Sequence, residues 1–299
     1  MKSGLVIATV AVSVIGSCSD AAPTTAGERL RVAVSFFPIA EVVRRVSGDA
    51  ASDEIEITTL VPPGEEAHEY DPTARQITHL EDADVVFFLG NDFQPNIEKA
   101  IASLPGTVVR SDLLENVEML DDGDDADTHV WLDPMNMATM ARTAAQVLSD
   151  AIPALAGTFA NNAATYIREL AELDELFAVG LSECDSTLLL TTHRAFAYLA
   201  DAYRLQYSAI AGTSPGDEPA AKSLAATVEL AAQNGVTTVF FEENLPSELA
   251  ATVADEIGAR ISALATAESL NGDQIAAGET YLSLMHRNLE ALRSGLSCR

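Results

Sequence analysis

Residues 158–182 read TFANNAATYIRELAELDELFAVGLS, and this stretch decides the fold. No proline interrupts it and its one glycine stands near the end. Phe159, Ala163, Tyr166, Leu170, Leu173, Phe177 and Leu181 recur every three or four residues. That spacing draws one apolar stripe along an amphipathic helix of about 25 residues. At ~1.5 Å per residue such a helix is roughly 37 Å long, enough to run beside two domains as a stiff spine. Pro153 breaks it from the helical pattern before it, and the linking helix is placed at 157–182.

On either side lie short apolar runs rich in β-branched and aromatic residues. Before the helix they are Leu30–Val34, Ile55–Leu60, Asp84–Leu89 and Thr107–Arg110. After it they are Thr187–Thr192, Gln206–Ile210, Val236–Phe241 and Arg260–Leu264. Such runs suit strands buried on both faces. Helical stretches alternate with them, among them Ile39–Ser47, Ala74–Glu81 and Ser223–Asn234, and that alternation argues for parallel sheets. The expected fold is α/β, with two lobes (29–156 and 183–299) joined by the one long helix. Each lobe carries a roughly four-stranded parallel sheet flanked by helices.

The charge is lopsided: 17 Lys+Arg against 45 Asp+Glu, a formal net of −28 over 299 residues. Such a surface repels phosphate backbones and anionic lipid, which excludes nucleic acid as a partner. Hydrophobic residues make up 48% of the chain, so the acidity does not mean disorder, which also requires low hydrophobicity.

Residues 1–17 (MKSGLVIATVAVSVIGS) place one Lys before an apolar run too short to span a bilayer, the pattern of a secretory signal. Ile15-Gly16-Ser17-Cys18 resembles a bacterial lipobox, in which Cys18 is lipidated and becomes the mature N-terminus. Residues 18–28, polar and small, then form a flexible tether. Two cysteines remain, Cys184 and Cys298. In an exported protein an even remainder suggests a disulfide, here stapling the C-terminal end to the start of a central strand; two buried free thiols are the alternative.

Three of the five histidines sit where a strand-like run ends or in the loop beyond: His68 in VPPGEEAHEYDPT, His129 in DDGDDADTHVWLDP and His193 in STLLLTTHRAFAYLA. In α/β sheets ligands gather beyond the carboxyl ends of strands. A cleft shared by the lobes would bring these three together, and three imidazoles suit tetrahedral zinc, which wants a fourth ligand. A single loop histidine is more often a surface or capping residue, so spacing alone leaves both readings open. His79 and His286 lie in helical patterns beside polar neighbours and read as solvated.

The strings PPGEEAHEYDPT, ADVVFFLGNDFQ, THVWLDPMN, THRAFAYLADAYRL, VTTVFFEEN and GETYLSLMHRNLEAL occur in this order. Together they resemble the metal-binding solute receptors of bacterial zinc and manganese ABC importers, the cluster A-I binding proteins, from about residue 30 to the C-terminus. The resemblance implies that His68, His129 and His193 are metal ligands. Imidazole rather than carboxylate at the third position leans toward zinc over manganese. The family's fourth ligand falls best on Glu268, in ISALATAESLNGD; another register puts Ala265 there and leaves three histidines plus water. Glu242 matches a recurrent family glutamate that either contacts the metal, orients a ligand or caps a helix. Glu65 and Glu66 read as solvated. The acidic run Asp121–Asp127 reads as a solvated loop, with a weak cation site as the sharper alternative. Trp131 and Phe196 are expected to pack around the site.

The resemblance thus implies an extracytoplasmic lipoprotein, on the cell surface or in the periplasm, and monomeric. It would capture Zn(II) in an interlobe cleft and deliver it to an ABC permease with its ATPase. The membrane would be reached through the lipid anchor. The rivals are a Mn(II) or Fe(II) receptor of the same class, a zinc hydrolase with an open coordination position, and an adhesin, since adhesion is credited to some receptors of the family; nothing in the sequence tests the last. The sequence has no phosphate-binding Gly-x-x-x-x-Gly-Lys run and no Gly-x-Gly-x-x-Gly.

Overall fold

A computed structural model describes residues 29–49, 52–120, 127–212 and 220–299. The expected signal segment, the lipidation site Cys18, the tether and residues 121–126 of the acidic run lie outside the described residues. The first lobe runs β1 (Leu30–Val34), α1 (Phe37–Ser47), β2 (Ile55–Thr59), α2 (Ala74–Glu81), β3 (Val85–Phe88), α3 (Pro95–Ala102), β4 (Val109–Asp112) and α4 (Pro134–Ala151). The long helix α5 spans Ala156–Gly180. The second lobe runs β5 (Leu188–Thr191), α6 (Ala197–Ala202), β6 (Gln206–Ala209), α7 (Ala221–Gln233), β7 (Thr238–Glu242), α8 (Glu248–Ile257), β8 (Arg260–Leu264), α9 (Gly272–Ala276) and α10 (Tyr281–Gly295).

Each lobe holds a four-stranded sheet, ordered β2-β1-β3-β4 in the first and β6-β5-β7-β8 in the second. Every pairing is parallel, as the alternation of strand and helix predicts. In both sheets the strand order reverses beside the first strand of the lobe, between β1 and β3 and between β5 and β7. Open α/β sheets bind ligands at such switch points.

All seven positions of the apolar stripe are buried. The helix packs on α1 and α4 of the first lobe and α10 of the second, so one apolar core continues from the first sheet across α5 to Phe240, Leu264 and Leu289 of the second lobe. Each Leu or Phe of the stripe contributes ~1.5–3 kcal/mol by its burial. Arg45 of α1 ion-pairs with Glu169 of α5 and lies 4.7 Å over the Tyr166 ring. A smaller cluster with Leu190, Val239, Ala250 and Val253 fills the outer side of the second sheet. At Gly295 the end of α10 meets β7 so closely that a Cβ would overlap the Phe240 ring.

Two strands begin two residues later than expected, and four others differ by one residue at one or both ends. The fourth begins at Val109, not Thr107, because Val108 N–H closes a turn onto Pro105 O (3.1 Å) and Arg110 Nε donates back to Ile101 O (2.9 Å). The seventh begins at Thr238 and runs on through Glu242. Gly235, at φ +62°, ends α7 with Val236 N–H donating to Ala231 O (3.0 Å), and the strand starts only after that turn. Cys184 and Cys298 form a disulfide across 114 residues, tying the C-terminal end beside the start of central strand β5. Among the described residues no helix is long and apolar enough to cross a membrane.

Candidate metal centre

The second lobe presents two side chains at its switch point. Thr191 of β5 pairs with Phe240 of β7; His193 and Glu242 each lie two residues further on, which brings them side by side. The His193 carbonyl accepts hydrogen bonds from Thr191 Oγ1 (2.7 Å) and Tyr207 Oη (3.2 Å), fixing the turn that ends β5. Glu242 Oε2 stands 2.9 Å from His193 Nδ1, off the line of a ring N–H, while its Oε1 accepts from Thr266 Oγ1 (2.9 Å). A proton on Nδ1, toward Glu242, leaves the His193 Nε2 lone pair free, and that buried nitrogen has no hydrogen-bond partner among the described residues.

His129 precedes a 3₁₀ turn, Val130–Leu132. The motif around it has a local reason. Asp133 caps α4 by accepting from Met135 N–H (2.7 Å), and Pro134 opens the helix where no N–H is needed. The His129 ring is fully buried. Its Nδ1–H donates to Asp127 Oδ1 (2.6 Å), and the same oxygen accepts from the His129 backbone N–H (2.8 Å). The remaining nitrogen, Nε2, lies 3.2 Å from His68 Nε2 and 3.2 Å from Glu268 Oε1.

His68 comes from the loop between β2 and α2. Exposed Glu66 shapes that loop by accepting from the backbone N–H groups of His68 (2.7 Å) and Glu69 (2.8 Å), and Gln94 Nε2 donates to Ala67 O (3.0 Å). Glu66 therefore structures the loop while staying exposed. Phe93 packs on the His68 ring with centroids 4.6 Å apart. The turn that delivers Phe93 holds Asn91 and Asp92 at φ +64° and +58°. Glu268 follows β8, and the residue before it, Ala267, is buried at φ +55°. The left-handed region costs a non-glycine residue ~1–2 kcal/mol, so the chain holds strain where Glu268 turns inward. Glu268 Oε2 lies 3.6 Å from His68 Nε2.

One donor atom each from His68, His129, His193 and Glu268 thus fall within 4.8 Å of one another, a group that can hold a metal ion. Three of the four side chains are buried. A zinc tetrahedron with bonds of ~2.0–2.1 Å has edges of about 3.3–3.4 Å, close to the two 3.2 Å separations at His129 Nε2. Without metal, the carboxylates act on protons instead. Burial pushes the His129 pKa down, but the carboxylates of Asp127 and Glu268 outweigh it and lift the ring from 6.5 to about 10. Burial raises the Glu268 pKa, yet the rings of His129 and His68 hold it well below the usual carboxylate range.

The structure brings His68, His129, His193 and Glu268 together. It turns Glu242 toward the back of His193, outside that group. Ala265 engages Asn288 through its backbone, its N–H donating to Asn288 Oδ1 (2.8 Å). His79 and His286 are exposed on α2 and α10. Trp131 and Phe196 are buried, Trp131 against His129 at 5.1 Å between ring centroids. One expectation fails: Asp127, the last acid of the run read as solvated, is buried and bonded to His129. Its position two residues before a ligand-type histidine is the one sequence signal for it. Phe93 and Thr266 carried no such signal.

The family described as "ZnuA: Zinc-uptake complex component A periplasmic" matches residues 32–295. The chain is 33% identical to "Zinc-binding lipoprotein AdcA" of Streptococcus pneumoniae (strain ATCC BAA-255 / R6), over 98% of this chain and 60% of that protein. It is 28% identical to "High-affinity zinc uptake system protein ZnuA" of Bacillus subtilis (strain 168), over 98% of this chain and 97% of that one. Several of the curated relatives are longer, and the chain spans about 60% of their length. The fold superposes on the Zn(II)-bound ZnuA-like domain of Streptococcus pneumoniae AdcA with a TM-score of 0.78 at 33% identity, covering 90% of this chain and 99% of that domain. With the match spanning both sheets, the long helix and all four converging residues, this chain belongs to the ZnuA family.

Proposed function

We propose that the chain is the zinc-binding receptor of an ABC importer, with Zn(II) as its cargo. The observation that carries this reading is the convergence of three imidazoles and one carboxylate within 4.8 Å of one another, two of the separations being close to the edge of a zinc tetrahedron. His68, His129, His193 and Glu268 are the ligands, and Glu242 and Asp127 orient two of them from behind. Imidazole-rich donors favour zinc over manganese, which prefers oxygen. The zinc-binding names of the relatives support the same cargo.

Residues 1–17 serve as the export signal. Cys18 carries the lipid that anchors the chain to the membrane, and 18–28 are its tether. The lobes 29–156 and 183–299 close on the ion, with 157–182 linking them. The receptor works outside the cytoplasm as a monomer and hands zinc to a permease driven by an ATPase. It performs no catalysis: four protein donors fill the tetrahedron, and of the two bases a hydrolase could use, Glu268 is a ligand and Glu242 is held by Thr266 with its other oxygen facing His193.

Dialysing metal-stripped protein against an equimolar mixture of Zn(II), Mn(II) and Fe(II), followed by elemental analysis, tests this. One equivalent of zinc is expected. Retention of manganese or iron in its place overturns the zinc assignment.

A further inference from the structure

Behind the four converging donors lie two carboxylates with one feature in common. Asp127 of the first lobe holds His129 through Oδ1, while its Oδ2 accepts from the backbone N–H of Ala197, the first residue of α6 in the second lobe (3.2 Å). Glu242 of the second lobe faces His193 through Oε2, while its Oε1 accepts from Thr266 Oγ1. The Thr266 carbonyl in turn accepts from Trp131 Nε1 of the first lobe (2.7 Å). The Trp131 carbonyl closes the circuit by accepting from Tyr281 Oη on α10 (2.6 Å). Asp127, Glu242, Thr266, Trp131 and Tyr281 are all buried.

Each lobe's histidine is therefore braced by a carboxylate that is itself tied, directly or through one residue, to the opposite lobe. We propose that Asp127 and Glu242, with Thr266 and Trp131, form a two-way interlobe latch, so that separating the lobes loosens His129 and His193 together and sets the rate of zinc release. The inference rests on the zinc-receptor reading above and adds the means of discharge to it.

The physical basis is the hold an outer carboxylate has on a ligand ring. By accepting from the remote imidazole N–H it fixes the tautomer and ring orientation and raises the ligand's basicity, an effect typically worth 10–100-fold in metal affinity. A carboxylate engaged at both oxygens cannot turn; one that loses its second partner can. In the closed protein Asp127 is engaged at both oxygens, while Glu242 is held at Oε1 by Thr266 and keeps Oε2 2.9 Å from His193 Nδ1. When the lobes part, the Ala197 and Trp131 donors leave with the opposite lobe, and a buried acceptor losing its donor is unfavourable. The ion-bound state thus resists opening until a partner imposes it. One continuous core through α5 allows only small separations, and a latch built of hydrogen bonds at 2.6–3.2 Å responds to small separations.

The test is a double-mutant cycle on Trp131→Phe, which keeps a ring and removes the donor, and Glu242→Gln. Three readouts apply: zinc dissociation into an excess of chelating dye by stopped flow, the d–d spectrum of the Co(II)-substituted protein, and the metal-free melting temperature. Each single variant is expected to speed dissociation about 10-fold or more and to shift the Co(II) spectrum. The double variant is expected to be no faster than the faster single one, because both cut the same chain of bonds. Multiplying effects, or a fall in melting temperature with dissociation and spectrum unchanged, overturn the latch. Thr266→Val, which deletes the hydroxyl and keeps the carbonyl, replaces Trp131→Phe in the cycle if that variant does not fold. If the wild-type chain binds no zinc, the receptor reading itself fails. If it binds zinc and the cycle multiplies, only the latch fails.

Discussion

Asp127 Oδ1 stands 2.6 Å from His129 Nδ1, with both side chains buried. In the metal-free chain burial pushes the His129 pKa down, but this contact, with Glu268 on the other side of the ring, outweighs it and raises the pKa from 6.5 to about 10. A raised folded-state pKa stabilises the protein in its protonated form. That contribution is complete below pH 6.5 and is lost as pH rises toward 10.

Zinc needs the unprotonated ring, so metal and proton compete at His129. Zinc affinity is expected to rise with pH between about 6.5 and 10. Near pH 7.5 each zinc should expel a proton, read by calorimetry in buffers of different ionisation heat. An affinity flat across that range, with no buffer dependence, would show that His129 is already neutral.

His193 holds a buried Nε2 with no hydrogen-bond partner among the described residues. His193→Ala is expected to lower zinc affinity by more than the 10–100-fold usual for outer positions, measured by competition with a chelator. Glu268→Ala should cost less, since three imidazoles remain and water can take its place. No loss at all for Glu268→Ala would favour three histidines plus water.

Most of the architecture was legible because the periods that encode it are local. The stripe from Phe159 to Leu181 could only be one long helix, and its residues are buried as expected. The candidate site was legible where chemistry and topology coincide, as at His193 just past a strand. Its supporting groups were hidden for a physical reason. Thr266 matters through its contact with Glu242, 24 residues away, and Trp131 through a bond to a carbonyl 135 residues away. Asp127 lay inside a run of acids whose composition argues for solvent; its burial comes from the His129 ring and the start of α6, which folding brings to it. The late start of β4 depends on the turn at Pro105, a hydrogen-bond detail that a propensity for strand does not carry.

The Cys184–Cys298 bond closes a long loop at the end of β5 away from His193. Replacing both cysteines by serine is expected to destabilise the chain by ~2–5 kcal/mol, read by denaturant unfolding without metal. Zinc affinity should be unchanged, because the bond braces the outer end of the second sheet. A parallel loss of zinc affinity would mean that the staple also sets the site.

The crystal structure of the zinc-loaded chain, with anomalous scattering collected on both sides of the zinc absorption edge, addresses the central claim most directly. The expected result is one ion bonded to His68, His129, His193 and Glu268 in a tetrahedron, at ~2.0–2.2 Å. An ion bonded to Glu242 in place of Glu268, an ion of six ligands, or an ion away from these four residues would contradict it.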